Sequence, residues 1–350
     1  MKREAGASPL HRELRLRLCR QIFEGEWKAG ERIPTERELA ERHGVSRITV
    51  RTTLADLERE GLLARRQGHG TRLRMGPHKR PSPAKLVAVL APVENPFFAS
   101  MLGPFEAEAE EQNALVVVKQ LSRGRTIEET LFRFLEREIR SALVWPYDED
   151  LDTGKLLALR ALGMNLVFFD REISGAPVDS ISVDSEHAVS ALVVGLQSRG
   201  ARRIAYVGWE GAVITSSAQR EDAFRRRCAG SPVFRLPWRR EREVDGDLRS
   251  LLAKLSGCDA LLCGNGVIGA AAARWAATRN PRMTVACVDR LPGSESLGLL
   301  AYEQPMEALA REAWKALVAQ GAKPAEWKPR QLRRRGRVVS LPGMGGVAAP

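Results

Sequence analysis

The sequence predicts an α/β protein: a small three-helix head carrying a β-hairpin, followed by a larger body of two α/β lobes. Three observations predict it. The stretch GVSRITVRTTLADLEREGLL at 44–63 places a polar cap after a glycine and then repeats aliphatics at helical spacing. Beyond residue 84, aliphatic runs alternate with helical stretches over about 260 residues. Basic charge gathers at the two ends of the chain and leaves the middle nearly neutral.

With 350 residues, 44% of them hydrophobic and 28% charged, the chain is long enough to bury more than one core. MKREAG leads into a charged helix without the apolar segment of a secretion signal, and runs such as LVAVLAPV at 86–93 fall far short of the roughly 18 residues that cross a bilayer. No membrane association is expected. Cys19, Cys228, Cys258, Cys263 and Cys287 are odd in number and contain no C-x-x-C pair, so neither a disulfide framework nor a metal site is expected. A reducing cytoplasm suits them. Residues 1–80 hold 19 Lys and Arg against 11 Asp and Glu, a net +8, and KPRQLRRRGR at 328–337 adds +6. The remainder nets −2 of the total +12, so a polyanion suits the head and not the body.

In the head, Leu10, Leu14, Leu18 and Ile22 recur every four residues and mark one face of a helix that Gly25 stops. Thr35, followed three residues later by Glu38, opens a second helix as a capping box, and Gly44 ends it. Ser46 caps the third helix, whose Val50, Leu54 and Leu57 form its buried row before Gly61 closes it. Two helices joined by so tight a turn make a helix-turn-helix. Arg47 and Arg51 share a face in the first turns of the second helix of that pair, where a recognition helix meets the major groove. LLARRQGHGTRLR then alternates and turns at residues 67–70, as a hairpin wing does. A basic helix face is often merely solvated; here cap, turn, helix and basic wing follow one another in order.

Residues about 8 to 74 resemble the winged-helix DNA-binding domain of the GntR family, through GERIPTERELA, GVSRITVRTTLADLEREGLL and QGHGT. The resemblance implies DNA contacts from Arg37, Arg47, Thr49, Arg51, Gln67, His69 and Gly70. Arginine takes guanine O6 and N7 together, whereas Thr49 and wing amides suit phosphate. Which arginine reads a base stays open. The head is assigned to residues 1–74, and MGPHKRPSPA at 75–84, with three prolines and little to bury, reads as a linker.

In the body, KLVAVLAP, ALVVVKQ, SALVWP, NLVFFD, RIAYVG, ALLCGN and TVACVD read as strands, with helices starting at Phe97, Thr126, Glu186, Ser217 and Gly269. Such alternation predicts parallel sheets with a ligand crevice at the strands' carboxyl ends. Gly264 to Gly269 spells G-x-G-x-x-G between a strand and a helix, with Asp289 ending the next strand 20 residues later, which is the dinucleotide fingerprint. Only 81 residues follow it, too few for the sheet such a fold needs.

Residues 85–341 resemble instead the effector domain of the lactose-repressor and ribose-binding-protein type, a type I periplasmic-binding-protein-like fold. The motifs are PVENPFF, VFFDR, SVDS, RRIAYVG, SAQREDAF, LCGNG, VACVDR and EQPMEALA. The resemblance implies a cleft lined by Phe98, Asp170, Arg171, Arg220, Asn265 and Asp289. An aromatic face with carboxylates and guanidiniums suits a sugar or polyol. The aspartate usual after the turn asparagine is Gly266 here, which removes one acceptor. Singly, each residue also reads as structure: Phe98 as core, Asp170 and Arg171 as a pair, Arg220 as a surface base. Trp209 and Trp238 rim the crevice or pack, and the arginines of 333–337 read as solvated surface.

The two resemblances together imply a transcription regulator, a repressor, whose affinity for a double-stranded DNA operator is modulated by a sugar-like effector. Matched symmetry of protein and operator implies a homodimer. No cofactor is expected. His11, His43, His69, His78 and His187 show no metal spacing, and neither a G-x-S-x-G elbow nor a phosphate loop appears, so an enzyme is not expected. The alternative is a dinucleotide-binding protein or enzyme built on the turn at 264–269.

Overall fold

The computed structural model describes residues 9–66, 68–76, 78–79, 81–92, 95–121, 124–146, 151–173, 175–210, 215–237, 244–252 and 257–342; the expected wing residue Gln67 and the candidate rim residue Trp238 fall outside them. The head consists of α1 (Pro9–Phe23), α2 (Glu36–His43), α3 (Arg47–Arg59) and the antiparallel hairpin of β1 (Leu63–Arg66) and β2 (Gly70–Leu73). Its local signals act as read. Thr35 Oγ1 accepts from the Glu38 amide while the Glu38 carboxylate accepts from the Thr35 amide, and Ser46 Oγ accepts from the Thr49 amide at 3.1 Å. Each cap is worth about 1 kcal/mol. Gly44, at φ 64, turns the chain between α2 and α3 in the left-handed region. In the wing, Gly70 at φ +77 leaves room for the Arg32 side chain, whose Nε would lie 2.6 Å from a Cβ there.

The first lobe begins with β3 (Leu86–Leu90), α4 (Pro96–Glu111), β4 (Leu115–Lys119), α5 (Ile127–Glu136), β5 (Ser141–Val144), α6 (Thr153–Ala161), β6 (Asn165–Phe169) and β7 (Asp179–Val183). The second contains α7 (Ser185–Gln197), β8 (Ile204–Trp209), α8 (Thr215–Arg227), β9 (Val233–Leu236), α9 (Val244–Leu252), β10 (Ala260–Cys263), α10 (Gly266–Arg279), β11 (Thr284–Val288) and β12 (Leu300–Glu303). The chain returns to the first lobe through α11 (Met306–Ala322) and β13 (Gln331–Arg334), then ends in the second with β14 (Arg337–Ser340). The sheets run β13-β7-β6-β5-β3-β4 and β14-β12-β11-β10-β8-β9, parallel throughout except for the antiparallel β12–β14 pair. Central strands such as β6 and β7 are buried along their whole length because helices cover both faces.

Several elements depart from the sequence reading. α6, α9, β7, β9 and β12 escape it, being short or lacking a clean period. α10 starts at Gly266 and not at Gly269, because the Asn265 side chain caps it. Trp209 is buried in the core of the second lobe and packs there.

The chain crosses between lobes three times, near Asp184, near Gln304 and at Arg335–Gly336, and the arginine run lies on the last crossing. Arg333, Arg335 and Arg337 are exposed, as read, and Arg334 is half buried, yet each is paired. Arg333 meets Glu172 at 2.7 Å, Arg334 meets Glu312 at 2.9 Å, Arg335 meets Asp184 at 2.9 Å and Arg337 meets Glu303 at 2.7 Å. The Gly336 amide donates to Tyr302 Oη at 2.7 Å. The three crossings are thus laced to one another, and the arginines of the run are countered locally.

The head is not a tethered appendage. Its core runs without a break into the first lobe. Phe23 of α1 packs at a tilt against Phe132 of α5 with centroids 4.6 Å apart, and the Arg20 guanidinium covers Phe132 at 4.0 Å while bonding Glu129 and Glu136. His78, in the segment read as a linker with little to bury, is itself buried. It packs against Gly163 of the first lobe and faces Glu60 at the end of α3. Arg15 bonds the same Glu60 at 2.7 Å. Burial alone would raise the Glu60 pKa, but His78 and Arg15 outweigh it and pull the carboxyl down to about 2.

Two outcomes are expected. Phe132→Ala should lower the unfolding free energy by about 3–5 kcal/mol in urea titrations. Because the folded pKa of Glu60 is depressed, its contribution is complete above about 4.5 and lost as pH falls toward about 2. Glu60→Gln should therefore flatten the stability–pH slope in that window.

Candidate functional site

On the head, α3 buries Val50, Thr53, Leu54 and Leu57 and turns its opposite side to solvent. Arg47, Arg51, Arg37 of α2 and His69 of the wing are all exposed around that side. Among the described residues Arg47 makes no ion pair. Arg51 does: its Nε lies 3.2 Å from Glu36, which also receives Arg65 from β1 at 2.8 Å. Burial would raise the Glu36 pKa, yet the two guanidiniums lower it, so Glu36 stays charged and fixes Arg51 against the wing. Thr49 differs from expectation in its surroundings. It is half buried, and its hydroxyl shares a hydrogen bond with Ser46 Oγ at 2.9 Å. Its amide, too, is taken by the cap. A phosphate contact there has to compete with that cap.

Between the lobes, the carboxyl ends of β6 and β11 face each other. Each strand ends in an aspartate with left-handed backbone, Asp170 at φ 63 and Asp289 at φ 81. Such conformations cost of order 1 kcal/mol or more in a non-glycine residue and cluster at functional sites. Arg220, from α8, stands between them: one terminal nitrogen is 4.0 Å from Asp170 and the other is 3.9 Å from Asp289 while donating to the Gly264 carbonyl at 2.8 Å. Its Nε is buried with no hydrogen-bond partner. These are loose pairs, with unspent hydrogen-bonding capacity. Gln304 donates to Asp289, and Ser216 Oγ donates to Asp170 at 3.4 Å.

The first lobe supplies the other wall. Arg171 lies over Trp145 at 4.5 Å, and Phe98 meets Trp145 at 4.6 Å, with Phe169 behind. Burial pushes the Asp170 carboxyl up to about 6; Arg220 opposes the rise and the Asp289 charge adds to it. A buried cluster of two carboxylates and two guanidiniums beside an aromatic face is equipped to bracket hydroxyl groups and lie flat against C–H bonds.

Comparison with known proteins bears on both halves. The family described as bacterial regulatory proteins, gntR family, matches residues 10–73. Residues 10–73 are a GntR-family helix-turn-helix domain. Over this GntR-type head the chain is 47% identical across 62 residues to the probable fructoselysine utilization operon transcriptional repressor of Escherichia coli, covering 18% of this chain and 26% of that protein. The arabinose metabolism transcriptional repressor of Geobacillus stearothermophilus is 25% identical across 202 residues, 56% of each chain. The chain thus spans about a quarter to about half the length of these curated relatives. Behind the GntR-type head, the fold is shared with the trehalose repressor of Escherichia coli (TM-score 0.63, 20% identity, 73% of this chain and 100% of that one). It is shared also with a LacI family regulator of Enterococcus faecalis holding ribose (TM-score 0.61, 16% identity, 74% and 99%).

Joined to the GntR-type head, the cleft gathers Asp170, Arg171, Arg220, Asp289 and Phe98 from positions up to 191 residues apart. Asn265 lies at its edge, half exposed, with its side-chain oxygen accepting from the Ile268 amide as a helix cap. Sequence reasoning missed Trp145, Ser216 and Gln304, and, on the head, Glu36 and Arg65. Glu36 lies within GERIPTERELA, Arg65 within the wing stretch, Trp145 within SALVWP and Gln304 within EQPMEALA, yet spacing gives none of them a role; only the tertiary fold brings them in. The G-x-G-x-x-G turn is accounted for by packing. A Cβ on Gly264 would collide with Tyr206, one on Gly266 would lie 2.6 Å from Leu291, and one on Gly269 would collide with Cys287. The glycines seat α10 on β8 and β11, and the dinucleotide alternative has no support. Replacing Arg220 by Met should strip Asp170 and Asp289 of the guanidinium they share and cost about 3–5 kcal/mol of stability, read from urea titrations.

Proposed function

We propose that the chain is a sequence-specific DNA-binding repressor of the cytoplasm, a binding protein and not an enzyme, whose operator affinity is set by a sugar or polyol held between the lobes. The observation that carries this reading is the Asp170–Arg220–Asp289 constellation, built from both lobes of one body whose first lobe shares a core with the GntR-type head. The relatives support it: repressors over the head, and solved folds of the body that hold ribose or, in a transcriptional regulator complex, cellobiose. Effector then acts by binding two lobe arrangements unequally.

Two copies act together on a pseudo-palindrome. The edge strand β4 supports this, with Leu115, Val117 and Val118 exposed on an unpaired edge. Val117→Lys should shift sedimenting protein toward monomer and weaken operator binding.

The central test is fluorescence anisotropy of the full chain on its own upstream DNA against a shuffled duplex, over a salt series. Tighter binding of the native duplex, with affinity falling steeply as salt rises, is expected. Equal weak binding of both sinks the reading. Arg47→Ala should lose the preference while keeping the fold. In a panel of ribose, arabinose, trehalose and cellobiose, one sugar should change operator affinity. Its effect should weaken as pH falls through about 6, because the accepting Asp170 carboxylate is then protonated. Asp170→Asn should remove that pH dependence.

A further inference from the structure

The outward ridge of α3 opens on an apolar residue, with cationic residues to one side of it. At about 100° per residue, Ile48 lies roughly 160° from Val50, nearly opposite the buried row, and Thr52, Ala55 and Arg59 share its ridge. Arg47 and Arg51 stand to one side. Ile48 is 76% exposed, more than any other large hydrophobic residue among those described. Thr52 and Ala55 are exposed too, and the Thr52 hydroxyl donates back to the Ile48 carbonyl at 3.0 Å, so that Thr52 is left to offer its methyl group outward. A β-branched aliphatic in the first turn of this helix, with no packing partner to explain it, is poorly placed for stability. It stands where the leading residues of a recognition helix enter the major groove.

The major groove carries one apolar feature, the C5 methyl of thymine. We propose that Ile48 is a specificity-determining residue that reads a thymine methyl in each half-site, between phosphates and bases held by the flanking arginines. The inference rests on the DNA-binding reading above and adds to it the chemistry of one base position.

The full chain selects a preferred duplex from a random library, and each thymine of the selected half-site is then replaced singly by deoxyuridine, which removes only the methyl group. Anisotropy competition compares each with the parent duplex. One substitution per half-site is expected to weaken the wild-type protein roughly three- to five-fold, the size of one buried methyl group. Ile48→Ala, harmless to a core that Ile48 does not touch, should bind the thymine and uracil duplexes equally.

If no uracil substitution matters, if Ile48→Ala keeps the full discrimination, or if the selected half-site has no thymine, the proposal is overturned while DNA recognition stands. If selection enriches no sequence, the regulator reading falls and this inference falls with it. Wild-type discrimination abolished in the variant supports the proposal.

Discussion

A guanidinium held between two carboxylates from opposite lobes is the constraint on which the rest of the body turns. Arg220 and Asp289 belong to the second lobe and Asp170 to the first, so the contact at 4.0 Å is a contact between bodies. Buried ion pairs of this kind contribute little net stability, since desolvation offsets attraction. Their value is conditional. A neutral, hydroxyl-rich molecule that inserts donors and acceptors among these groups replaces loose pairs by close hydrogen bonds, and the gain depends on how the lobes stand. Both aspartates hold unfavourable backbone conformations to present their carboxylates there.

The second constraint is the seam between head and first lobe. Phe23 on Phe132, Arg20 over the ring and between two glutamates, and Arg15, Glu60 and His78 in one buried network join α1 and the end of α3 to the body. A flexible tether averages out motion of the lobe that carries it. A shared core transmits rotation instead, because packed interiors deform little. The seam therefore fixes the bearing of Arg47 and Ile48 relative to the first lobe.

The two halves use charge in opposite ways. On the head, positive groups stay exposed around α3, with Glu36 fixing two of them in place. At the C-terminal run, each arginine is met by an acid on a neighbouring element. Basic stretches in sequence thus yield an exposed face with Arg47 outside any ion pair among the described residues in one place, and a run of acid-paired arginines at a lobe crossing in the other.

By itself the sequence determined the head: the Thr35–Glu38 box, Gly44, the Ser46 cap and the Val50, Leu54, Leu57 row are local signals, acting over three to seven residues, and the structure follows them. It determined the alternation of the body and named five residues that meet in the cleft, because motif order survives in the chain. Tertiary structure alone decided the rest. Trp145, Ser216 and Gln304 join the cleft, Glu36 reaches Arg51 and Arg65, and His78 is buried, because parallel strand order and crossing chains bring distant residues together at no fixed spacing. The glycines of 264–269 carry the same lesson. The spacing of a phosphate-binding turn was legible, but whether Tyr206, Leu291 and Cys287 already fill the space above it depends on three other strands and loops.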